Sequence, residues 1–544
     1  MKILSVLLVI ITVLSVFISC SKPTFDITET DTNGVDTLES DFSTELVNGS
    51  ETNEKQDDSK ESETVDNSNP SKETGKNEEK PLTKFEIQFS VENEKKLTKI
   101  LASSVQKAEL VEGSNIPTIS TAYSKKEQSG DGGYTYIYNS ATENLYDTWC
   151  DKLYKSGYAQ YTETEFNGTK YQGSAKLRNM FTTFVSTLAQ ADIEYHEAAK
   201  RMYVTFTPRK ASVLPQREAP TISTKQTKLP ITWTYYGLED IDDSEGSLGY
   251  IIRIADGSFI VIDGGEWFPE DSKSNAVVKR MYDIMKKQSP DPNNIVISAW
   301  IITHAHNDHA GAYWTFERQY GDLSSIKLKQ VIYNFPEREK TNGNDGNYQC
   351  SIVEATQGFA SKPEILKVHT GNVLYYPGIS INVLYTQENY LAVSSDFKGN
   401  YNAASLVLQF VTDDGDKIFV GADHPVSGSY EGTPWCEGAI YNWYGSFIES
   451  DVATAFHHGY YGGADSTVYY VIKPKMVLLP CDQARIEDSN MSKMPHNKYF
   501  MDMNNRPSGV SYWTSRNTVV GILTFSNGTP QLKYYDTISE YLNS

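Results

Sequence analysis

Five of the nine histidines fall in two tight clusters: His304, His306 and His309 in one, His457 and His458 in the other. The first cluster reads Thr303-His304-Ala305-His306-Asn307-Asp308-His309-Ala310-Gly311. Imidazole nitrogens and carboxylate oxygens are the donors that borderline-soft divalent metals take. His304, His306, Asp308 and His309 put four such donors within six residues. Little chain entropy is then lost in bringing them to one ion. Metal binding is the chemistry this spacing points to.

The elements around the clusters must place them. The apolar run 295–302 reads as a buried strand that feeds a loop, followed by a helix from about Ala310. Upstream, 249–265 holds two alternating strand-like runs joined at Asp256-Gly257 and ending in Asp263-Gly264-Gly265. Downstream, 405–410 and 417–420 read as a hairpin around 413–416, ending in Gly421-Ala422-Asp423-His424. The second cluster, Phe456-His457-His458-Gly459, follows another strand-like run, and 476–480 reads as a further strand. His369, in Leu366-Lys367-Val368-His369-Thr370-Gly371, reads as a turn histidine between strands.

His304-Ala305-His306-Asn307-Asp308-His309 resembles the H-x-H-x-D-H signature of the metallo-β-lactamase fold, and the order of the flanking runs matches that fold. The resemblance covers about 232–535. It implies an α/β chain, with an αββα sandwich carrying a two-metal site on its edge. The His457-His458-Gly459 run and the segment Asn402-Ala403-Ala404-Ser405-Leu406 resemble the hydrolase domain of ComEC-type competence proteins. On this resemblance Asp263 props the ligand loop, and Asp423 is the carboxylate that bridges both metals. His304, His306 and Asp423 go to one ion, and Asp308, His309, Asp423 and His457 to the other. Asp308 also orients the attacking water. His458 is the alternative ligand to His457, and otherwise a proton donor or substrate contact. A further histidine that the family places before the bridging aspartate has no counterpart here unless His424 or water replaces it.

The function implied is a metal-dependent hydrolase that uses a metal-bound hydroxide. It would carry one or two divalent ions, zinc first, with manganese or iron as alternatives. The subgroup resemblance implies a phosphodiester-type substrate, small or polymeric. An esterase or lactonase of the same fold, or a non-catalytic envelope-binding lipoprotein, are the other readings. His424 and His496 are candidate cleft residues.

Residues 1–20 carry Lys2 and one apolar run ending in Phe17-Ile18-Ser19-Cys20. This resembles a bacterial lipoprotein signal, with Cys20 as the lipidated residue and an extracytoplasmic, membrane-anchored location. Residues 21–83 are polar and acidic. Between 21 and 80 there are 17 Asp and Glu against 6 Lys, a net −11 of the chain's −21. Such a stretch buries too little apolar surface to offset its chain entropy and reads as a disordered tether. The acid balance excludes a basic nucleic-acid surface as the main device.

Residues 84–215 read as a small α+β domain without a chemical motif, and 228–540 as the metal-binding domain. Leu145, Trp149 and Leu153 line one helix face that ends at Gly157. Asn167-Gly168 reads as a hairpin turn, and His196 as a structural histidine. Cys150, Cys350, Cys436 and Cys481 allow three full pairings, and none sits in a catalytic or zinc-finger spacing.

Overall fold

The structure is a computed structural model that describes residues 84–222, 227–238, 241, 249–268, 270–336, 352–394, 401–425, 429–430, 433–434, 439–459, 466–479, 497, 499, 509–514 and 519–544. The expected signal peptide, Cys20, the tether, His496, Cys350, Cys436 and Cys481 lie outside the described residues. Met1–Phe85 and Glu86–Ser544 separate as two units, and every sheet of the protein belongs to the second, among the described residues. Among the described residues no helix is long and apolar enough to cross a membrane.

The chain is a mixed α/β protein with three large sheets. The first is antiparallel, in the order Lys125–Gln128, Tyr134–Tyr138, Arg201–Pro208, Ala189–His196, Asn179–Val185, Ala159–Glu165. The helix Glu143–Lys155 covers it. Thr142 caps the helix by accepting from Leu145 N, and Leu145, Tyr146, Trp149 and Leu153 are buried. The helix ends at Ser156, and Gly157 follows with φ 98°. Asn167-Gly168 is not the turn of a hairpin. Ala159–Glu165 pairs with Asn179–Val185, and Gly168–Thr169 pairs with Lys176–Leu177 further out. The reason for Gly168 is close approach: a Cβ there would strike Tyr444 O and lie 2.6 Å from Phe447 N.

The second sheet runs Glu364–Lys367, Gln330–Tyr333, Ile295–Ile301, Phe259–Asp263, Gly249–Arg253, Thr232–Tyr236, Val520–Ser526, Thr529–Tyr535. Its first four strands are parallel. The third sheet runs Val373–Tyr376, Ile379–Tyr385, Val407–Thr412, Lys417–Val420, Val452–Thr454, Met476–Leu479, Ser511–Thr514, and is parallel from Lys417–Val420 onward.

Alternation assigns each strand's side chains to two cores. Ile252, Ile260, Ile262 and Ile301 share one cluster with Ile381, Leu408, Phe410, Val420 and Leu478 of the third sheet. Ile251, Val261 and Trp300 join Val277, Met281 and Ile284 of the helix Asp271–Gln288, and Tyr313 and Phe316 of the helix Asn307–Tyr320. On the outer face of the third sheet, Phe419, Ala453 and Val477 meet Trp443, Tyr444 and Tyr469, together with Ile137, Phe181 and Tyr203 of the first sheet. Strands buried on both faces account for the continuous apolar runs in the sequence.

A polar seam joins the first sheet to the helices Gln387–Tyr390 and Ala439–Tyr444 and to the loop that carries His369. The His196 ring stacks on Trp443 at 4.0 Å, and its Nδ1 meets Asn179 Oδ1 at 2.7 Å. Asn179 Nδ2 donates to Trp443 O at 2.8 Å. Asn389 Nδ2 donates to Glu194 Oε1 at 2.6 Å. His369 Nε2 lies 2.9 Å from Thr207 Oγ1, and its Nδ1 lies 3.4 Å from Glu388 Oε1. His369 thus faces the first sheet.

Candidate metal centre

Parallel pairing of Phe259–Asp263 with Ile295–Ile301 brings Asp263 beside the loop that carries His304. Asp263 is left-handed at φ 53°. Strain of that kind costs about 1–3 kcal/mol and persists only where the surroundings over-determine it. Here they do. Its carboxylate accepts from Thr303 N and Thr303 Oγ1, both at 2.8 Å, and its carbonyl accepts from Trp300 Nε1 at 2.8 Å. Its Oδ2 also meets His309 Nδ1 at 2.8 Å. A carboxylate at Nδ1 keeps the proton there and leaves the Nε2 lone pair facing the other way.

The helix Asn307–Tyr320 starts three residues before the expected Ala310, with His306 as its extended cap. Ala310 N donates to His306 O at 2.9 Å. This early start puts Asp308 and His309 in the first turn, next to the strand end. The third sheet supplies the other side. Asp423 follows Lys417–Val420, and His458 follows Val452–Thr454. Ala422, His457 and His458 are also left-handed, at φ 45°, 48° and 52°. Three further non-glycine residues in that region fold both strand ends sharply inward.

Two donor groups result. Asp308, His309, Asp423 and His458 form one, and His304, His306 and Asp423 the other; within each group the ligand atoms lie within 4.8 Å of one another. Asp423 belongs to both. Its Oδ2 is 3.2 Å from His309 Nε2 and 3.6 Å from His304 Nε2, and its Oδ1 is 3.5 Å from His458 Nε2. Asp308 Oδ2 is 3.0 Å from His458 Nε2. His309 Nε2 and His458 Nε2 are 3.1 Å apart.

The electrostatics follow from burial and proximity. Burial opposes charge on His309, yet Asp423, Asp308 and Asp263 hold its pKa well above the ordinary value. His458 is raised as well: burial opposes it, and the carboxylates of Asp423 and Asp308 prevail. Burial would raise Asp423, but His309, His458 and His457 hold it well below the carboxylate range. Asp308 is depressed in the same way by His309 and His458 against its own burial. Burial, with the neighbouring His309, pushes His304 well below the ordinary histidine value.

A divalent cation fits this set. His304 Nε2 is buried without a hydrogen-bond partner. Two imidazole Nε2 atoms at 3.1 Å present lone pairs to each other unless a proton or a cation stands between them. Two depressed carboxylates supply the compensating charge. Nitrogen and carboxylate oxygen together suit zinc, iron or manganese.

Solved structures similar to this chain include metallo-β-lactamase fold proteins. YhfI from Bacillus subtilis, described as a metallo-β-lactamase fold protein, is 14% identical; the match covers 54% of this chain and 99% of that one, with a TM-score of 0.32. A metallo-β-lactamase with a HARLDQ motif from Cronobacter sakazakii is 12% identical, over 47% of this chain and 86% of that one, with a TM-score of 0.24. CmlA, a diiron β-hydroxylase from Streptomyces venezuelae, is 10% identical, over 55% of each chain, with a TM-score of 0.29. No family model and no curated protein matches the chain.

Of the residues singled out in the sequence, the fold gathers His304, His306, Asp308, His309 and Asp423. His457, taken as the ligand, lies outside both groups, and His458 stands in the four-donor group. The backbone decides this: two left-handed residues in succession turn the two rings to different neighbours. His424 is not part of either group. It is fully buried against the Tyr385 ring at 4.1 Å, and burial pushes its pKa down to about 3. Sequence reasoning gave no role to Thr303, nor to Asn402, which it met only as the first residue of a segment quoted for its resemblance. Asn402 Nδ2 lies 3.3 Å from His457 Nε2, and a lone asparagine between strands carries no spacing signal by which to find it.

Proposed function

We propose that this chain is a metal-dependent hydrolase of the αββα metallo-β-lactamase architecture, acting on phosphodiester-type substrates. The observation that carries the reading is the convergence of a four-donor and a three-donor group on the shared Asp423. A cation bound there supplies Lewis acidity and makes a bound water acidic enough to react near neutral pH. The chain's residues do the positioning. Asp263 orients His309, and buried His304 and His309 exclude water from the inner side. The Asp308 side chain, 34% exposed, stands at the accessible side, where its carboxylate can accept a hydrogen bond from an approaching water and orient it. His458 is assigned to the four-donor group in place of His457.

The phosphodiester class is supported by the ComEC-like run Phe456-His457-His458-Gly459 and by Asn402-Ala403-Ala404-Ser405-Leu406. The same proposal includes a lipid anchor at Cys20, the acidic tether 21–83, the domains 84–215 and 228–540, and an extracytoplasmic location. These rest on the sequence alone. The test is metal analysis of the purified full chain together with a panel of chromogenic phosphodiesters, phosphocholine esters, lactones and DNA. Between one and two divalent ions per chain, with turnover on phosphodiesters that His306→Ala and Asp308→Ala abolish while the circular dichroism stays intact, is the expected result. Turnover unchanged in both variants would end the reading.

A further inference from the structure

The strand end that carries His458 carries a second imidazole that both donor groups leave out. His457 Nε2 is 3.9 Å from Asp423 Oδ2, yet the ring belongs to neither group. At 3.3 Å from that Nε2 is the amide of Asn402. An imidazole nitrogen bears either a hydrogen or a lone pair. With Asn402 Nδ2 donating, the Nε2 lone pair is taken. With the amide turned so that Oδ1 accepts, Nε2 holds the proton. In neither arrangement does Nε2 serve a cation.

Exposure also differs among the rings, with His306 half-buried as His457 is and the others buried. The side chains of His304 and His309 are 0% exposed and that of His458 is 3% exposed, whereas His457 is 23% exposed. An incoming molecule therefore meets His457 and Asp308 before it meets the buried donors. Tyr401, next to Asn402, stands edge-on to the His306 ring at 5.6 Å. The segment Tyr401–Ala404 thus walls the three-donor group and fixes His457 at the same time. The left-handed backbone of His457, φ 48° and ψ 49°, is strain of the kind retained where a side chain must be aimed.

We propose that His457, held by Asn402, contacts a phosphoryl oxygen of the substrate beside the His304–His306–Asp423 group, and that it is not a metal ligand. This rests on the hydrolase reading above. With Asn402 Nδ2 donating to Nε2, the ring's proton sits on Nδ1, which offers one directed hydrogen bond to an anionic oxygen, and such charge-assisted bonds are about twice as strong as neutral ones. Asn402 is the positioning residue, because it acts through the ring it holds.

The test uses the full chain loaded with manganese or zinc and inorganic phosphate as the probe. Metal stoichiometry and phosphate affinity are measured for wild type, His457→Ala, His457→Gln, Asn402→Ala and His458→Ala, with circular dichroism as the control for folding. His457→Ala and Asn402→Ala are expected to keep the wild-type metal content and to bind phosphate at least fivefold more weakly. His457→Gln, which keeps a donor, recovers part of that loss, and His458→Ala loses metal. Asn402→Ala, at a half-buried position, reads the same contact if His457→Ala fails to fold. Metal loss in folded His457→Ala, or unchanged phosphate affinity in it, overturns the inference. A metal-loaded wild type that binds no phosphate overturns it too. Phosphate binding that depends on His457, with no ester turned over, upholds the contact and defeats the hydrolase reading alone.

Discussion

Asp263 Oδ2 lies 2.8 Å from His309 Nδ1, across 46 residues of chain, and both side chains are fully buried. The contact joins the end of one strand to the first turn of the helix that leaves its neighbour. It fixes the tautomer of a ring that serves the four-donor group. Asp263→Asn keeps the shape and removes the charge. It should weaken metal binding by about 10–100-fold, the usual effect of losing such a partner. Competition against a chelator of known affinity measures this, and an affinity equal to wild type would show that Asp263 has no hold on the ring.

Removing the metal should cost stability. The half-buried carboxylate of Asp308, the buried one of Asp423 and the rings around them lose the charge that offsets their desolvation. A ligand that binds only the folded state stabilises it by about 2.7 kcal/mol at a hundredfold excess over its dissociation constant. Thermal unfolding with and without chelator should therefore differ by several degrees, and coincident curves would argue against a cation in the site.

A second pair, remote from the site, sets a pH dependence. Burial would raise Glu388, but the charge on His369 holds it down at about 2. Burial would lower His369, but Asp192 and Glu388 raise it. The depressed carboxylate contributes stability above its unfolded value of 4.5 and loses it as pH falls toward about 2. The raised histidine contributes fully below its ordinary value of 6.5 and loses it as pH rises through its folded value. Their joint contribution therefore peaks between pH 4.5 and pH 6.5. His369→Gln with Glu388→Gln should flatten the change in melting temperature between pH 5.5 and pH 8 relative to wild type. The same slope in both proteins would refute the assignment.

Gly311 is required by close approach. A Cβ there would strike Trp267 N and lie 2.8 Å from Asn307 Oδ1 and 2.9 Å from Glu266 C. Asn307 Nδ2 meanwhile donates to Trp267 O at 2.9 Å and to Glu266 Oε1 at 3.1 Å. Backbone cannot give way cheaply, so Gly311→Ala should part the helix Asn307–Tyr320 from the loop after Asp263. A loss of about 1–3 kcal/mol, as for overpacking elsewhere, with reduced metal affinity, is expected in denaturant unfolding and metal titration. Wild-type stability would mean that the loop relaxes freely.

The mixed α/β class was legible because strands buried on both faces leave apolar runs such as 295–302, and the donors of His304–His309 were legible because they are local. The Asn167-Gly168 pair misled because a glycine can serve a turn or a close approach, and only the neighbour at Tyr444 tells which. The first sheet shares a buried polar seam with the helix Ala439–Tyr444, which packs on the third sheet, through His196, Asn179 and Trp443. No periodicity announces such a seam, because its partners lie as far apart as 264 residues.

The role of Asp423 came from the family resemblance; from residue types and short spacings alone came the donors His304, His306, Asp308 and His309 and the strand that delivers them. These depend on local chain geometry, which a sequence encodes directly. Which of two adjacent histidines turns toward the donors, and which asparagine meets the other, was decided only in three dimensions. Those choices depend on backbone angles imposed by packing between two sheets, and neighbouring identical residues carry no mark of it.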